Sequence, residues 1–250
     1  MKAMILAAGL GTRLKPLTDN LPKALIEIGK TPLLELVIKK LNSVGVTEII
    51  INVHHRAEQI IAFLQSKNNF NLHLEISLEQ KILGTGGGLL KAANFFDDER
   101  PFFIHNVDIL SNINLADMYA FHLERKALAT LAVQSRKSSR YFVVDEKNFL
   151  CGHEDISQKL IRMKRIPNGK TQRRAFCGIH VISPKLFEAV IESGNFSIVD
   201  LYLKLVEKGM DIIAYPADQN YWQDIGKINT LKKLENDLAT GKIFIENFTH

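Results

Sequence analysis

Met4-Ile5-Leu6-Ala7-Ala8-Gly9-Leu10-Gly11-Thr12-Arg13-Leu14 opens the chain with an apolar run that stops at two glycines and an arginine. The apolar part, Ala3 to Ala8, has the length and composition of a buried strand. Glycines at the carboxyl end of such a strand let backbone N–H groups approach an anion closely, because no Cβ intervenes. The spacing is neither common nucleotide motif. GxGxxG would need a third glycine, and no P-loop pattern occurs anywhere in the chain. Instead the loop carries Arg13 and is followed by Lys23 in Leu21-Pro22-Lys23. Two fixed cations flanking a glycine turn suit a triphosphate whose charge must be neutralised during reaction. Taken alone, the same residues also fit a tight turn with solvated cations.

Outward from this loop, the first half alternates strand-sized and helix-sized segments. Pro32 to Val44 reads as a helix, with Thr31 as N-cap, Pro32 in the first turn and Gly45 just past the end. Glu48 to Val53 reads as a strand, Ala57 to Leu64 as a helix and Leu72 to Ser77 as a strand. Gly88 to Phe96 then reads as a helix and Pro101 to Asn106 as a strand. This order predicts a parallel sheet covered by helices on both faces. The second half changes character. Thr130 to Gln134, Phe142 to Asp145 and Phe149 to His153 read as short antiparallel strands, and Ala175 to Ile182 as a longer one. Helices are expected at Lys185 to Glu192, Ser197 to Glu207 and Lys227 to Thr240, with a strand at Asp211 to Tyr215. No linker-like segment separates the halves, so one domain over 1–250 is expected, with 1–110 as its first half and 111–250 as its second.

Composition narrows the function classes. The 250 residues are 46% hydrophobic and 24% charged, which excludes disorder, collagen and coiled coil. No apolar stretch approaches the ~20 residues of a membrane span, and Gly9, Gly11 and Arg13 interrupt the apolar start too early for a signal peptide. Cys151 and Cys177 have no CxxC spacing and no nearby His pair, as expected of free thiols in a reducing cytoplasm. The net charge of +5 is uneven: Arg136 to Arg174 holds eleven basic residues against four acids. A basic segment of this kind suggests an anionic partner, a phosphorylated small molecule or nucleic acid. Only Tyr141, Phe142 and Phe149 could stack bases there, which disfavours nucleic acid.

The opening stretch, followed by Pro16-Leu17-Thr18 and Pro22-Lys23-Ala24-Leu25, resembles the signature of the sugar-1-phosphate nucleotidyltransferases. Within that family the chain is most similar to N-acetylmuramate-1-phosphate uridylyltransferases and to mannose- or heptose-1-phosphate guanylyltransferases. The resemblance spans Met1 to about Leu234. It implies an α/β fold, a Rossmann-like mixed and mainly parallel sheet flanked by helices. It also implies formation of an NDP-sugar and pyrophosphate from an NTP, with UTP or GTP the candidates, and a sugar 1-phosphate. Such a product feeds cell-envelope polysaccharide synthesis. The resemblance assigns Ala7, Ala8, Gly9, Gly11, Thr12, Arg13, Lys23, Glu79, Gly84 and Asn106 to the nucleotide. Arg13 would contact the leaving pyrophosphate and Lys23 phosphate near the reacting position. Leu83-Gly84-Thr85-Gly86-Gly87-Gly88 is similar to the loop against the base, though it could equally cap a helix near Gly88. Phe176-Cys177-Gly178-Ile179 is similar to the strand whose glycine lies near the sugar.

Release of pyrophosphate calls for Mg²⁺, which prefers carboxylate oxygens and water. Asp108, in His105-Asn106-Val107-Asp108, and Asp224, in Tyr221-Trp222-Gln223-Asp224-Ile225-Gly226, resemble the family's two metal-binding aspartates. With Arg13 and Lys23 they make up the implied catalytic set. An acid after a strand is, on its own, more often a cap or turn residue. Three departures stand out. Val107 replaces the usual glycine before Asp108, Lys227 replaces the usual threonine after Gly226, and the sugar-phosphate Glu-Lys-Pro motif is not recognisable between Lys159 and Arg174. Lys164, Lys170, Arg173 or Arg174 could supply the missing cation. His54, His55 and His105 lack metal-ligand spacing and read as loop or packing residues. Trp222 reads as packing beside the site. Lack of a hexapeptide ladder argues against a fused acyltransferase, and a monomer or homodimer is expected. A Rossmann oxidoreductase would need an acid after strand two, where this chain has His54-His55-Arg56. The alternative retained is a non-catalytic nucleotide or sugar-phosphate sensor of the same fold.

Overall fold

A computed structural model describes residues 1–249. Strands in chain order are β1 (Lys2–Leu6), β2 (Glu27–Ile28), β3 (Thr31–Pro32), β4 (Glu48–Val53), β5 (His73–Leu78), β6 (Phe102–Asn106) and β7 (Ile109–Ser111). They continue as β8 (Ala129–Gln134), β9 (Arg140–Val144), β10 (Leu150–Asp155), β11 (Leu160–Met163), β12 (Gln172–Ile182), β13 (Ile212–Pro216) and β14 (Trp222–Asp224). Helices are α1 (Leu33–Ser43), α2 (Ala57–Ser66), α3 (Gly84–Lys91), α4 (Leu115–Arg125), α5 (Leu186–Ala189), α6 (Ile198–Glu207) and α7 (Ile228–Ala239). The chain forms two compact units, each discontinuous in sequence. Unit 1 holds Met1–Ile82, Ile104–Leu115 and the residues from Asn220 onward; unit 2 holds Leu83–Phe103 and Ala116–Gln219.

Unit 1 is built on a parallel sheet in which β4 lies between β1 and β5, with residues of β6 on the other side of β1. β4 is Glu48-Ile49-Ile50-Ile51-Asn52-Val53, buried after its first residue, as expected of a β-branched run covered on both faces. α1 places Leu33, Leu36, Val37 and Leu41 on buried positions and stops at Gly45, whose φ of +87° suits glycine at a helix end. Its start differs from expectation. Thr31–Pro32 is drawn into a two-residue hairpin with Glu27–Ile28, so Pro32 takes the N-cap and Thr31 caps nothing.

A second apolar cluster in unit 1 lies under the glycine loop and the acidic turns. It gathers Leu14, Ile26, Leu33, Leu110, Ile225, Leu231 and Phe248. Above it β7 and β14 pair antiparallel, with Trp222 opposite Ser111 and Asp224 opposite Ile109.

In unit 2 the order is β11-β10-β9-β12-β8-β13, antiparallel throughout except for the parallel β8–β13 pair. The α/β class with a mixed sheet flanked by helices is therefore as the resemblance implies, with the parallel character concentrated in unit 1. The Gly-rich helix begins at Gly84, four residues before its expected start, and α5 is a single turn where a longer helix was expected. β11 and α4 are elements that the sequence pattern did not announce.

Candidate active site

The glycine loop of unit 1 is fixed from beneath. Ala7 N–H donates to Asn52 Oδ1 at 2.8 Å, and Asn52 Nδ2 donates to Glu79 Oε1 at 2.7 Å. All three residues are buried. A buried amide that both accepts and donates couples the end of β1 to the residue after β5 across two strands, and leaves neither group unsatisfied. The His54 ring nitrogen Nδ1 lies 2.7 Å from the Glu79 carbonyl oxygen, so His54 steadies this network. Glu79 is thus tied through Asn52 to the end of β1. Asn52 was missed, because in Glu48 to Val53 it reads as one more strand residue. Its one signal was a polar amide inside an otherwise apolar run.

Gly11 turns the chain with φ +66°. A Cβ there would lie 2.9 Å from Thr18 Cγ2 and 3.2 Å from Lys23 Cβ, so glycine is required by conformation and by space alike. Thr18 Oγ1 donates to the Gly11 carbonyl at 2.9 Å, clamping the loop to the segment that leads to Lys23. At Gly9 a Cβ would meet nothing within 4 Å, so that side of the loop is open. Ala8 is half-buried, and Gly9, Thr12 and Arg13 are exposed.

The two aspartates are brought together by backbone pairing. Asp108 sits in the turn between β6 and β7, and Asp224 ends β14. Ile225 N–H donates to the Asp108 carbonyl at 2.8 Å. Val107, in the place of the usual glycine, is buried and its N–H donates to the Leu6 carbonyl at 3.1 Å, tying the acidic turn to the end of β1. Asn106 ends β6 beside it, its carbonyl 2.8 Å from His105 Nδ1. Burial lowers the His105 pKa to about 4, so its ring is neutral and part of the packing, as expected.

A lysine meets the first carboxylate. Lys23 Nζ forms an ion pair with Asp108 Oδ2, and both side chains are largely shielded from solvent. A Cβ built on Gly226 would lie 2.6 Å from Asp224 Oδ1 and 3.1 Å from Arg13 Nη2, so Gly226 gives Asp224 and Arg13 the room to converge. Arg13 makes no ion pair among the described residues. The arrangement of two carboxylates, one lysine, one free guanidinium and an open glycine loop can bind a polyanion together with a hard divalent cation.

In unit 2, the Gly-rich segment has a clear packing reason. A Cβ on Gly84 would lie 2.5 Å from the Phe196 carbonyl oxygen, on Gly86 2.2 Å from the Phe196 ring, and on Gly87 2.1 Å from the Gly194 carbonyl oxygen. Gly86 N–H donates to that Phe196 carbonyl at 3.0 Å. Gly178 has φ +73° within an irregular stretch of the β12–β8 pairing. Arg173 is bound to Glu154 (2.5 Å and 2.7 Å) and Arg174 to Asp218 (2.9 Å), while Lys164 pairs with Glu207 (2.9 Å). Lys170 is exposed, with no ion pair among the described residues. Trp222 is half-buried on β14, beside Asp224.

A family model described as nucleotidyl transferase matches residues 2–241. The chain is 32% identical over 231 residues to a mannose-1-phosphate guanyltransferase of Schizosaccharomyces pombe, covering 91% of this chain and 61% of that protein. It is 31% identical over 246 residues to a UTP–glucose-1-phosphate uridylyltransferase of Synechocystis, with the same coverage, 91% and 61%. The chain thus spans about three-fifths of the length of these relatives. Among solved structures, HddC from Yersinia pseudotuberculosis superimposes with a TM-score of 0.74 at 22% identity, over 95% of this chain and 99% of that one, a likeness of fold.

Proposed function

The chain belongs to the nucleotidyl transferase family, and from that premise we propose that it joins an NTP to a sugar 1-phosphate, forming an NDP-sugar and pyrophosphate. The observation that carries this reading is the Asp108 turn joined to the end of β14 by the Ile225-to-Asp108 hydrogen bond, with Lys23 paired to Asp108 and Arg13 close to Asp224 beside Gly226. The sensor alternative would be expected to lose a carboxylate or the arginine, and all are present.

In this reading unit 1 binds the nucleotide. The loop from Ala7 to Thr12 receives the phosphates, with backbone N–H groups and Arg13 as donors. Glu79, just after β5, and Asn106, at the end of β6, are the further nucleotide residues of unit 1. Asp108 and Asp224 offer hard oxygens, and a carboxylate pair completed by substrate phosphates is the usual holder of Mg²⁺ beside a nucleotide. That ion, when bound, would neutralise charge developing on the phosphate oxygens. Arg13 stabilises the departing pyrophosphate, and Lys23 balances Asp108 and moves with the reacting phosphate. Catalysis is positioning and electrostatics, with the sugar-phosphate oxygen attacking in line and no covalent side-chain nucleophile required.

Unit 2 takes the sugar 1-phosphate, with Gly178 near the sugar and Lys170, Arg173 or Arg174 supplying the cation for its phosphate. Of these, Lys170 is already unpaired, whereas Arg173 and Arg174 would first have to leave Glu154 and Asp218. UTP and GTP are the candidate nucleotides, the cytoplasm the expected location, and a monomer or homodimer the expected state. No helix among the described residues is long and apolar enough to cross a membrane. Phosphorus NMR of reactions pairing each of four NTPs with glucose, mannose and N-acetylmuramate 1-phosphates tests the proposal. A diphosphodiester signal should grow with one pair at least, and its absence from every pair would refute the reading.

A further inference from the structure

Around the junction of β4 and α2, unit 1 places polar side chains that each bond to a segment of the candidate site. Asn52 joins Ala7 to Glu79, and His54 meets the Glu79 carbonyl. The next two reach a different segment, the loop between Arg13 and Lys23. Arg56 Nη2 donates to the Asp19 carbonyl, and Gln59 Nε2 donates to the Asn20 carbonyl at 3.1 Å. Gln59 N–H donates in turn to the Arg56 carbonyl at 3.1 Å, which fixes the two grips relative to each other. Two consecutive carbonyls of the loop are thus held from the first turn of α2. Arg56 occupies its place against backbone preference. Its φ of +56° and ψ of 38° lie in the left-handed region, where glycine or asparagine sits more easily. It is the N-cap of α2, yet its side chain makes no capping bond. Neither conformation nor capping favours arginine there. What arginine adds is reach, a long side chain ending in a fork of donors that grips a carbonyl 37 positions away.

The gripped loop has little else to fix it. Lys15, Pro16, Leu17, Asp19 and Asn20 are all exposed, and the ion pair of Lys15 with Asp19 (3.3 Å) lies in solvent, where such pairs contribute little. From Asn20 the path to Lys23 is short and stiff. Leu21 packs against the apolar cluster of unit 1, and Pro22 is buried with its φ at −65°. Leu25 N–H donates to the Pro22 carbonyl at 2.9 Å, closing the turn on which Lys23 stands and pairs with Asp108. A shift at Asp19 or Asn20 is therefore passed on to Lys23.

We propose that Arg56, assisted by Gln59, is a positioning residue of the reaction. It clamps the loop that leads to Lys23 and so sets the lysine at the reacting phosphate, without touching substrate itself. The inference rests on the role of Lys23 in the proposed function.

Arg56→Gly separates the side chain from the backbone, because glycine suits the left-handed φ and is accepted as an N-cap. Backbone amide exchange and pyrophosphate release are measured on the full chain carrying Arg56→Gly or Arg56→Lys. In Arg56→Gly the amides of residues 14–25 should exchange about tenfold faster, while those of α2 keep their protection. Its kcat should fall about tenfold with the KM for the sugar 1-phosphate unchanged, the mark of an interaction lost in the transition state. Arg56→Lys, whose ammonium can still donate to the Asp19 carbonyl, should recover most of both losses. On a Lys23→Ala background Arg56→Gly should change kcat less than about twofold, because the two residues act as a unit. A further tenfold loss on that background, or a raised KM for the NTP with kcat unchanged, would mean that Arg56 meets substrate directly, and would overturn the proposal. Unchanged exchange in residues 14–25 would overturn it as well. Arg56→Gly turning over like the unsubstituted chain overturns the positioning role and leaves the reaction standing. Faster exchange as described, with no pyrophosphate released by the unsubstituted chain from any NTP, overturns the reaction and leaves the clamp.

Discussion

Asp108 and Asp224 carry the heaviest chemical assignment of any single residues in the chain. Asp108→Asn and Asp224→Asn keep size and one acceptor oxygen while replacing the other, and the charge, with an NH2 donor at a pair of backbone-locked turns. Turnover should fall by two orders of magnitude or more, with about 3 kcal/mol of transition-state stabilisation lost, while the fold stays intact. Near-normal rates in either variant would remove that residue from the metal assignment. Asn52 is the opposite case, a residue with no chemistry of its own that supports the loop. Asn52→Ala would leave the buried Ala7 N–H and a Glu79 oxygen without their partner, and should destabilise the fold by about 1–3 kcal/mol in urea unfolding. A change below about 0.5 kcal/mol would mean the network is not what fixes the loop. The contrast explains what was legible. Arg13, Lys23, Asp108 and Asp224 are charged residues in a spaced pattern, which a linear reading can find. Asn52 acts through contacts to residues 45 and 27 positions away, which spacing does not encode.

At the scale of elements, three-residue strands do the positioning. β7 and β14 are too short to show alternation, yet their pairing sets the Asp108 turn against the end of β14. Ile225, fully buried next to Asp224, anchors that pair in the apolar cluster of unit 1. Ile225→Ala should cost about 2–5 kcal/mol of stability, and it should lower kcat more than a surface change of equal stability effect. Longer elements with sustained apolar runs, as β4 and α1, are legible from the sequence pattern. β11 escaped because Leu160, Ile161 and Met163 lie at a sheet edge with their side chains largely exposed, and α3 was begun late because its first turn is glycine. α4 is joined to β8 by His122, whose Nδ1 lies 2.9 Å from Thr130 Oγ1. Burial lowers the His122 pKa from 6.5 to about 4. The unfolded chain therefore takes up that proton first. The contribution is complete above pH 6.5, falls as the pH drops through this window and is lost below about 4, amounting to roughly 3 kcal/mol. Thermal unfolding should show this acid slope, with part of it gone in His122→Asn. An unchanged slope in that variant would place the acid lability in other groups.

Across the whole molecule, the segment that looked most distinctive in sequence is largely neutralised in space. Arg140, Arg162, Lys164, Arg165, Arg173 and Arg174 each face a carboxylate, and four of the six acids come from the stretch after residue 199, outside the basic segment. The excess of eleven bases over four acids is a property of a stretch of chain, and folding pairs it with distant residues. That is why composition could suggest an anionic partner without saying where it binds. The parallel sheet of unit 1 and the loop at its edge follow from local pattern, whereas the pairing of unit 2 strands depends on long-range register. The central claim for the molecule is one reaction requiring two substrates. Pyrophosphate release, followed continuously with GTP or UTP, a sugar 1-phosphate and Mg²⁺, tests it most directly. Release should match NDP-sugar formed mole for mole and stop when either substrate is omitted. Release from the NTP alone, or none with any pair of substrates, would contradict it.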